Sequence, residues 1–266
     1  KAHVLMTELS YFLVERVLHN SVNVMTRQRD EAGIPEYPLF THTEVDEIEP
    51  LFQGFRYRRP IEWAAFEKAQ MGKTSPTLEF LDAGHALGSA GVMVRGADET
   101  LFFTGDVSFR DQTLLKGAQF EDVQADVMIM ETTRGARAAS PGFDRAAEVG
   151  RMAAAIRAVQ ARKGSILIPV FALGRTQEIL AELALLMRQG VLPRQPVFIG
   201  GLGRIFTEIY DLQAHRTHRH HSQLSLTETL DLQVLDRKKM ETIKLGGGHL
   251  FVLTSGMMTP NTAAFD

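Results

Sequence analysis

Downstream of residue 137 the sequence alternates between two periodicities that cannot coexist in one element, and this alternation constrains the fold more than any other feature. Val149, Met152, Ile156 and Val159 recur at spacings of three and four, which marks one buried face of a helix, and the pattern stops at Gly164. Residues 166–170 then form a short apolar run with strand character. Ile179, Leu180, Leu183 and Met187 mark a second helix ending near Gly190. Residues 197–199 read as another strand, residues 205–212 as a third helix, and residues 249–254 as one more strand. Strand and helix in alternation predict an α/β unit with a mostly parallel sheet and helices on both faces.

The texture upstream is different. Residues 77–81, 91–94, 99–104 and 127–130 are short Val-, Phe- and Leu-rich runs separated by Gly and Asp, so strands dominate this part. Residues 91–95 turn through Gly96, Ala97 and Asp98 into residues 100–104 and form a hairpin, and a loop is expected at 138–142. Earlier still, residues 3–7 suggest a strand and residues 9–25 a helix. Thr43 followed by Asp46 opens a further helix that gathers Val45, Ile48, Leu51 and Phe52 on one face. A chain of 266 residues that is 44% hydrophobic can bury a core, which excludes disorder.

Two strand ends carry chemistry. Leu81-Asp82-Ala83-Gly84-His85-Ala86-Leu87-Gly88-Ser89-Ala90 places an imidazole just after a strand, between glycines that let backbone approach closely. Leu101-Phe102-Phe103-Thr104-Gly105-Asp106 places a carboxylate after the next-but-one strand, and the hairpin returns it towards His85. Taken singly, a histidine at a strand end is usually structural, and an aspartate in a turn usually caps itself. The sequence has no cysteine, so disulfides and thiolate sites are excluded and any metal must be held by His and carboxylate. With 29 Lys+Arg against 32 Asp+Glu the net charge is −3, so an anionic ligand must be drawn by a local site. No apolar run is long enough for a membrane span.

Taken together, the motifs resemble those of metallo-β-lactamase-fold hydrolases of the β-CASP group, RNA-processing nucleases. Ala-Gly-His-x-x-Gly-Ser-Ala followed by Phe-Thr-Gly-Asp is similar to that family's third and fourth metal motifs. The resemblance implies that His85 is a terminal zinc ligand and that Asp106 bridges two Zn2+ ions. Residues 127–135, ending Glu131-Thr132-Thr133-Arg134-Gly135, resemble β-CASP motif A, usually Glu-Ser-Thr-Tyr-Gly, with Thr132 and Arg134 departing from it. Glu131 would then be catalytic, as the orienter of a histidine acid. Residues 168–178, Ile-Pro-Val-Phe-Ala-Leu-Gly-Arg-Thr-Gln-Glu, match the first β-CASP strand, loop and helix, and Thr254-Ser255-Gly256-Met257-Met258 resembles a later turn. Arg175, Ser255 and Gly256 are the implied nucleic-acid contacts. At Gly174 and the helix start that follows, free backbone N–H groups would add to the Arg175 guanidinium, unless Arg175 merely pairs with Glu178.

The implied architecture is α/β: part of a metallo-β-lactamase αββα sandwich over residues 1–135, then a β-CASP α/β domain over 136–266. The implied activity is zinc-dependent ribonuclease action in RNA processing or decay, with single-stranded DNA as a second candidate substrate. A homo-oligomer or a processing complex, a cytoplasmic setting and no membrane complete the expectation. The family's His-x-His-x-Asp-His and its motif B and C histidines are not in the sequence, so the chain is expected to be an internal piece, inactive alone. Two other readings are a non-catalytic scaffold and a small-molecule metallo-hydrolase of the same fold. The cluster His215, His218, His220 and His221, interleaved with Arg216 and Arg219 and followed by Lys238 and Lys239, reads as a solvated basic surface that touches RNA backbone.

Overall fold

The computed structural model describes residues 2–66, 75–136, 141–243, 245–258, 260 and 262–265. The loop expected at 138–142 therefore falls largely outside the described residues. The chain divides into two compact units, residues 1–110 with 117–131, and residues 111–116 with 132–266.

In the first unit, β1 (Val4–Thr7) leads straight into α1 (Glu8–Ala32). Thr7 caps the helix by accepting from the Ser10 amide at 3.0 Å, and Gly33, at φ 66°, ends it in the left-handed region. The next helix, α2 (His42–Ile48), is capped by Thr41, two residues before the expected cap Thr43. Thr41 and Glu44 form the capping box, with the Thr41 amide donating to Glu44 Oε2 at 2.8 Å and the Glu44 amide to Thr41 Oγ1 at 3.2 Å. Two Thr-x-x-acid patterns overlap in this stretch, and the longer Glu44 side chain suits the reach back to the cap better than Asp46.

After α2 come β2 (Phe52–Phe55), parallel to β1, and β3 (Ile61–Glu62), β4 (Thr77–Asp82), β5 (Ala90–Arg95), β6 (Thr100–Phe103) and β7 (Val127–Ile129). The last five form one sheet in sequence order. The expected hairpin is present, with β5 antiparallel to β6 and also to β4, whereas β7 is parallel to β6. Successive side chains of β4 and β5 point to opposite faces and feed two cores. Leu78 and Phe80 pack with Ile61, while Leu81 and Met93 pack with Phe102.

The second unit holds α3 (Arg145–Ala161), β8 (Ile166–Pro169), α4 (Arg175–Arg188), β9 (Val197–Ile199), α5 (Gly201–Leu212), α6 (Leu226–Thr229), β10 (Leu232–Val234), α7 (Arg237–Thr242) and β11 (Leu250–Leu253). Its sheet runs β10-β9-β11-β8 with every pairing parallel, as the alternation of periodicities predicts. β10 is a three-residue strand with no readable alternation and is legible only through its pairing with β9. Leu180, Ala181, Leu183 and Ala184 of α4 are fully buried in this unit.

Glu178, on the first turn of α4, is buried and does not pair with Arg175. Its carboxylate accepts from the amides of Thr113 (2.6 Å), Leu114 (3.0 Å) and Leu115 (3.1 Å). One acidic side chain thereby satisfies a turn of backbone that would otherwise be buried without partners. Glu178→Ala strands three amide donors and should lower unfolding free energy by about 3 kcal/mol. In urea unfolding, stability should fall in the order wild type, Glu178→Gln, Glu178→Ala, the glutamine retaining one acceptor oxygen and so part of the stability.

Candidate functional site

Because β5 is antiparallel to both β4 and β6, those two strands run the same way, and β7 runs with β6. The carboxyl ends of β4, β6 and β7 therefore lie on one edge of the sheet, and His85, Asp106 and Glu131 follow those three ends. Backbone ties the first two loops together. The Ser108 amide donates to the Ala83 carbonyl at 2.9 Å, and the Ala118 amide donates to the Ser108 carbonyl at 2.7 Å. Gly84, at φ 64°, lies so close to these strands of backbone that a Cβ on it would stand 2.5 Å from the Ala118 nitrogen. Gly88, at φ 82°, has an equally tight approach to Ser10, and its carbonyl accepts from the hydroxyls of Thr7 and Ser10, each at 2.9 Å. Both glycines are thus demanded by packing. Between them, the Ser89 hydroxyl accepts from the amides of His85 (3.0 Å) and Ala86 (3.1 Å), and the His85 side chain is exposed.

Asp106 is exposed at the end of β6. Glu131 grips the loop that carries it, since Glu131 Oε1 accepts from the Val107 amide at 2.7 Å. Sequence reasoning missed this link between two of its own candidates, because a side-chain-to-amide bond across 24 residues leaves no periodic trace. It also missed Asp82. Burial at the end of β4 pushes this carboxyl up to about 6, although its bond from the Gly84 amide (2.9 Å) pulls the other way.

In the second unit, β8 and β11 are adjacent and parallel, so the loops after Pro169 and Leu253 emerge side by side. Gly256 packs on the first of these loops, where an added Cβ would stand 3.0 Å from the Val170 carbonyl carbon. Arg175 is exposed and donates to Gln112 Oε1 at 3.2 Å. The free amides expected at the start of α4 are already engaged. Gly174 donates to the Gln177 side chain at 2.8 Å, Arg175 to the Leu173 carbonyl and Thr176 to the Phe171 carbonyl, both at 3.1 Å. The buried Gln177 acts as an internal cap, so anion binding in this stretch falls to the guanidinium.

The histidine cluster is less open than its composition suggests. Arg219 is buried and donates to the carbonyls of Tyr210, His221 and Leu224, and burial holds its pKa below the ordinary value. His220 Nε2 lies 2.8 Å from Asp111 Oδ2. His215, His218 and Arg216 remain at the surface, whereas Arg219 is a structural cation chosen for its several donors. The side chain of Lys238 lies outside the described residues.

Comparison with known proteins puts a family on this geometry. The chain is 31% identical over 180 residues to cleavage and polyadenylation specificity factor subunit 3 of Dictyostelium discoideum, covering 68% of this chain and 21% of that protein. It is 31% identical over 193 residues to ribonuclease TTHA0252 of Thermus thermophilus, covering 73% and 39%. It is 30% identical over 189 residues to the probable RNase MJ4 of Methanocaldococcus jannaschii, covering 68% and 41%. The chain is homologous to the β-CASP nucleases of the metallo-β-lactamase fold. No family model matches it. The chain spans about a fifth to two fifths of the length of these relatives.

For a β-CASP homologue a metal centre is implied, and the donors can be tested against it. An exposed imidazole and an exposed carboxylate on joined loops are the right donor types for zinc. The number falls short, because among the described residues no three His, Asp or Glu side chains gather to hold an ion. The residues described do not make a complete centre by themselves.

Asp82 yields a prediction independent of any metal. Below about pH 4 its carboxyl is protonated in both folded and unfolded states and carries no cost. Between pH 4 and 6 the unfolded chain ionises while the folded one resists, so stability is lost as pH rises to the folded pKa of about 6. Asp82→Asn removes the ionisation. In the presence of a chelator, its stability relative to wild type should rise by about 2 kcal/mol from pH 4 to pH 7 and then level off. A pH-independent difference in denaturant unfolding would contradict the buried, reluctant carboxyl.

Proposed function

We propose that the protein is a zinc-dependent phosphodiester hydrolase, a ribonuclease of RNA processing or decay, with His85 and Asp106 as two of its metal ligands and Asp106 as the bridge. The observation that carries this reading is the convergence of three strand ends on one sheet edge, with the His85 and Asp106 loops joined through the Ser108 amide and the Ala83 carbonyl. The printed names of the relatives, ribonucleases and a cleavage factor subunit, support the reaction class. Residues 1–135 then form the metallo-β-lactamase domain and residues 136–266 the β-CASP domain, with the remaining ligands and the histidine acid supplied elsewhere in the whole protein.

Within that scheme zinc held in part by His85 and Asp106 would supply an activated water and polarise the phosphate. The chain's own residues do the positioning. Glu131 anchors the Val107 amide, which holds Asp106 at the strand end, and it also orients the catalytic histidine. Arg175, Ser255 and Gly256 line the path of the nucleic acid, with RNA preferred and single-stranded DNA the alternative. A processing complex is the setting that the cleavage factor homology suggests. Among the described residues no helix is long and apolar enough to cross a membrane.

A scaffold without catalysis is the second reading, and the shortage of metal donors among the described residues favours it. Metal analysis and cleavage of labelled RNA by the full-length protein separate the two. The nuclease reading expects bound zinc and cleavage that Asp106→Ala or His85→Ala reduces by several orders of magnitude. Glu131→Gln should cost roughly 10- to 100-fold, the scale of losing a group that orients a ligand loop. A full-length protein without zinc or cleavage would leave the scaffold. Residues 1–266 expressed alone should retain less than one zinc per chain after dialysis and cleave no RNA. Stoichiometric zinc in that preparation would show that the ligand assignment is wrong.

A further inference from the structure

We propose that Phe171, flanked by Met257 and Met258, is a stacking shelf for an unpaired base of single-stranded RNA whose backbone is held at Arg175. The proposal rests on the RNA reading above and assigns it a base-binding residue.

Phe171 follows β8 and is 55% exposed, while Met257 and Met258 follow β11 and are 71% and 45% exposed. Single apolar side chains at a surface are ordinary, but three large ones on two adjacent loops are not scattered. The two strands are paired up to Pro169 and Leu253, and the Val170 amide continues the ladder to the Leu253 carbonyl at 2.9 Å. Gly256 then lies close beside the aromatic ring, where an added Cβ would stand 3.3 Å from Phe171 Cδ2. The glycine backbone thus packs against the Phe171 side chain with little room for another side chain between them. Met258 is held at φ 48°, an uncommon conformation for a bulky residue, and its amide donates to the Ser255 carbonyl at 3.0 Å. A strained, exposed turn beside an exposed ring is the kind of feature that suits binding rather than stability.

The neighbouring charge selects the ligand. The Phe171 carbonyl accepts from both the amide (3.1 Å) and the hydroxyl (2.8 Å) of Thr176, which fixes the exposed Arg175 next to the shelf. A π-face with a guanidinium alongside suits a nucleotide, whose base stacks while its phosphate meets the cation. A chain of net charge −3 has no bulk attraction for RNA, so such local contacts must carry the binding. Bases in a duplex are already stacked on one another, so the shelf takes single strands.

The test uses the full-length protein with chelator present, so that binding is read without cleavage. Fluorescence anisotropy with a labelled 12-nucleotide RNA should show Phe171→Ala weakening the single strand by roughly 10-fold, with Phe171→Trp restoring it. Phe171→Ala should leave the salt dependence of log Kd unchanged, whereas Arg175→Ala should reduce its slope by about one. Duplex RNA of the same sequence should be insensitive to Phe171→Ala. Failure of the wild type to bind any RNA would overturn the RNA reading itself. Binding that Phe171→Ala leaves intact would overturn the shelf alone. Loss of self-association in Phe171→Ala on sedimentation, with RNA binding unchanged, would assign the patch to a second copy of the chain.

Discussion

A strand that runs antiparallel to both neighbours forces those neighbours to run in the same direction. In this chain β5 does so for β4 and β6, and the parallel addition of β7 extends the effect. Every candidate of the first unit depends on it. A one-residue slip of β5 would take Met93 out of the core it shares with Leu81, and Val92 and Val94 out of the one they share with Leu78, so burial on both faces protects the register and with it the placement of the loops.

The second unit shows how buried polar groups narrow the choice of binding surfaces. A helix start after a glycine-containing loop is usually read as a cradle for anions, yet the first amides of α4 are taken by Gln177 and by the carbonyls of Leu173 and Phe171. Glu178, one residue on, turns its charge inward to three amides of residues 113–115. What remains at the surface is the Arg175 guanidinium and the ring of Phe171. On the proposed reading recognition there rests on side chains, so substitution at those positions is informative and substitution at Gly174 is not.

Much of the fold was legible because it rests on periodicity. The spacing of Val149, Met152, Ile156 and Val159 anticipates α3, and the short apolar runs anticipate β4 to β7 within a residue or two. The strand expected at residues 3–7 is present as β1, but elements without a period were not legible, β10 and β2 among them, because pairing between distant segments defines them. The candidate site divides in the same way. The positions of His85 and Asp106 follow from strand ends, whereas the bond from Val107 to Glu131, the reluctant carboxyl of Asp82 and the burial of Arg219 arise from tertiary contact. The exposed-looking run of histidines and arginines misled because one arginine can satisfy several carbonyls at once, a role that composition does not display.

Gly84 and Gly88 have a consequence for how such sequences are compared. Each stands where added carbon would collide with the backbone of a distant segment, so neither position is free to drift even in a lineage that has given up catalysis. The glycines on either side of His85 would outlive the histidine. A motif search scored mainly on those glycines therefore counts copies of the loop geometry, and retired enzymes will be counted with working ones; on the proposed metal reading, His85 and Asp106 are the positions that tell them apart.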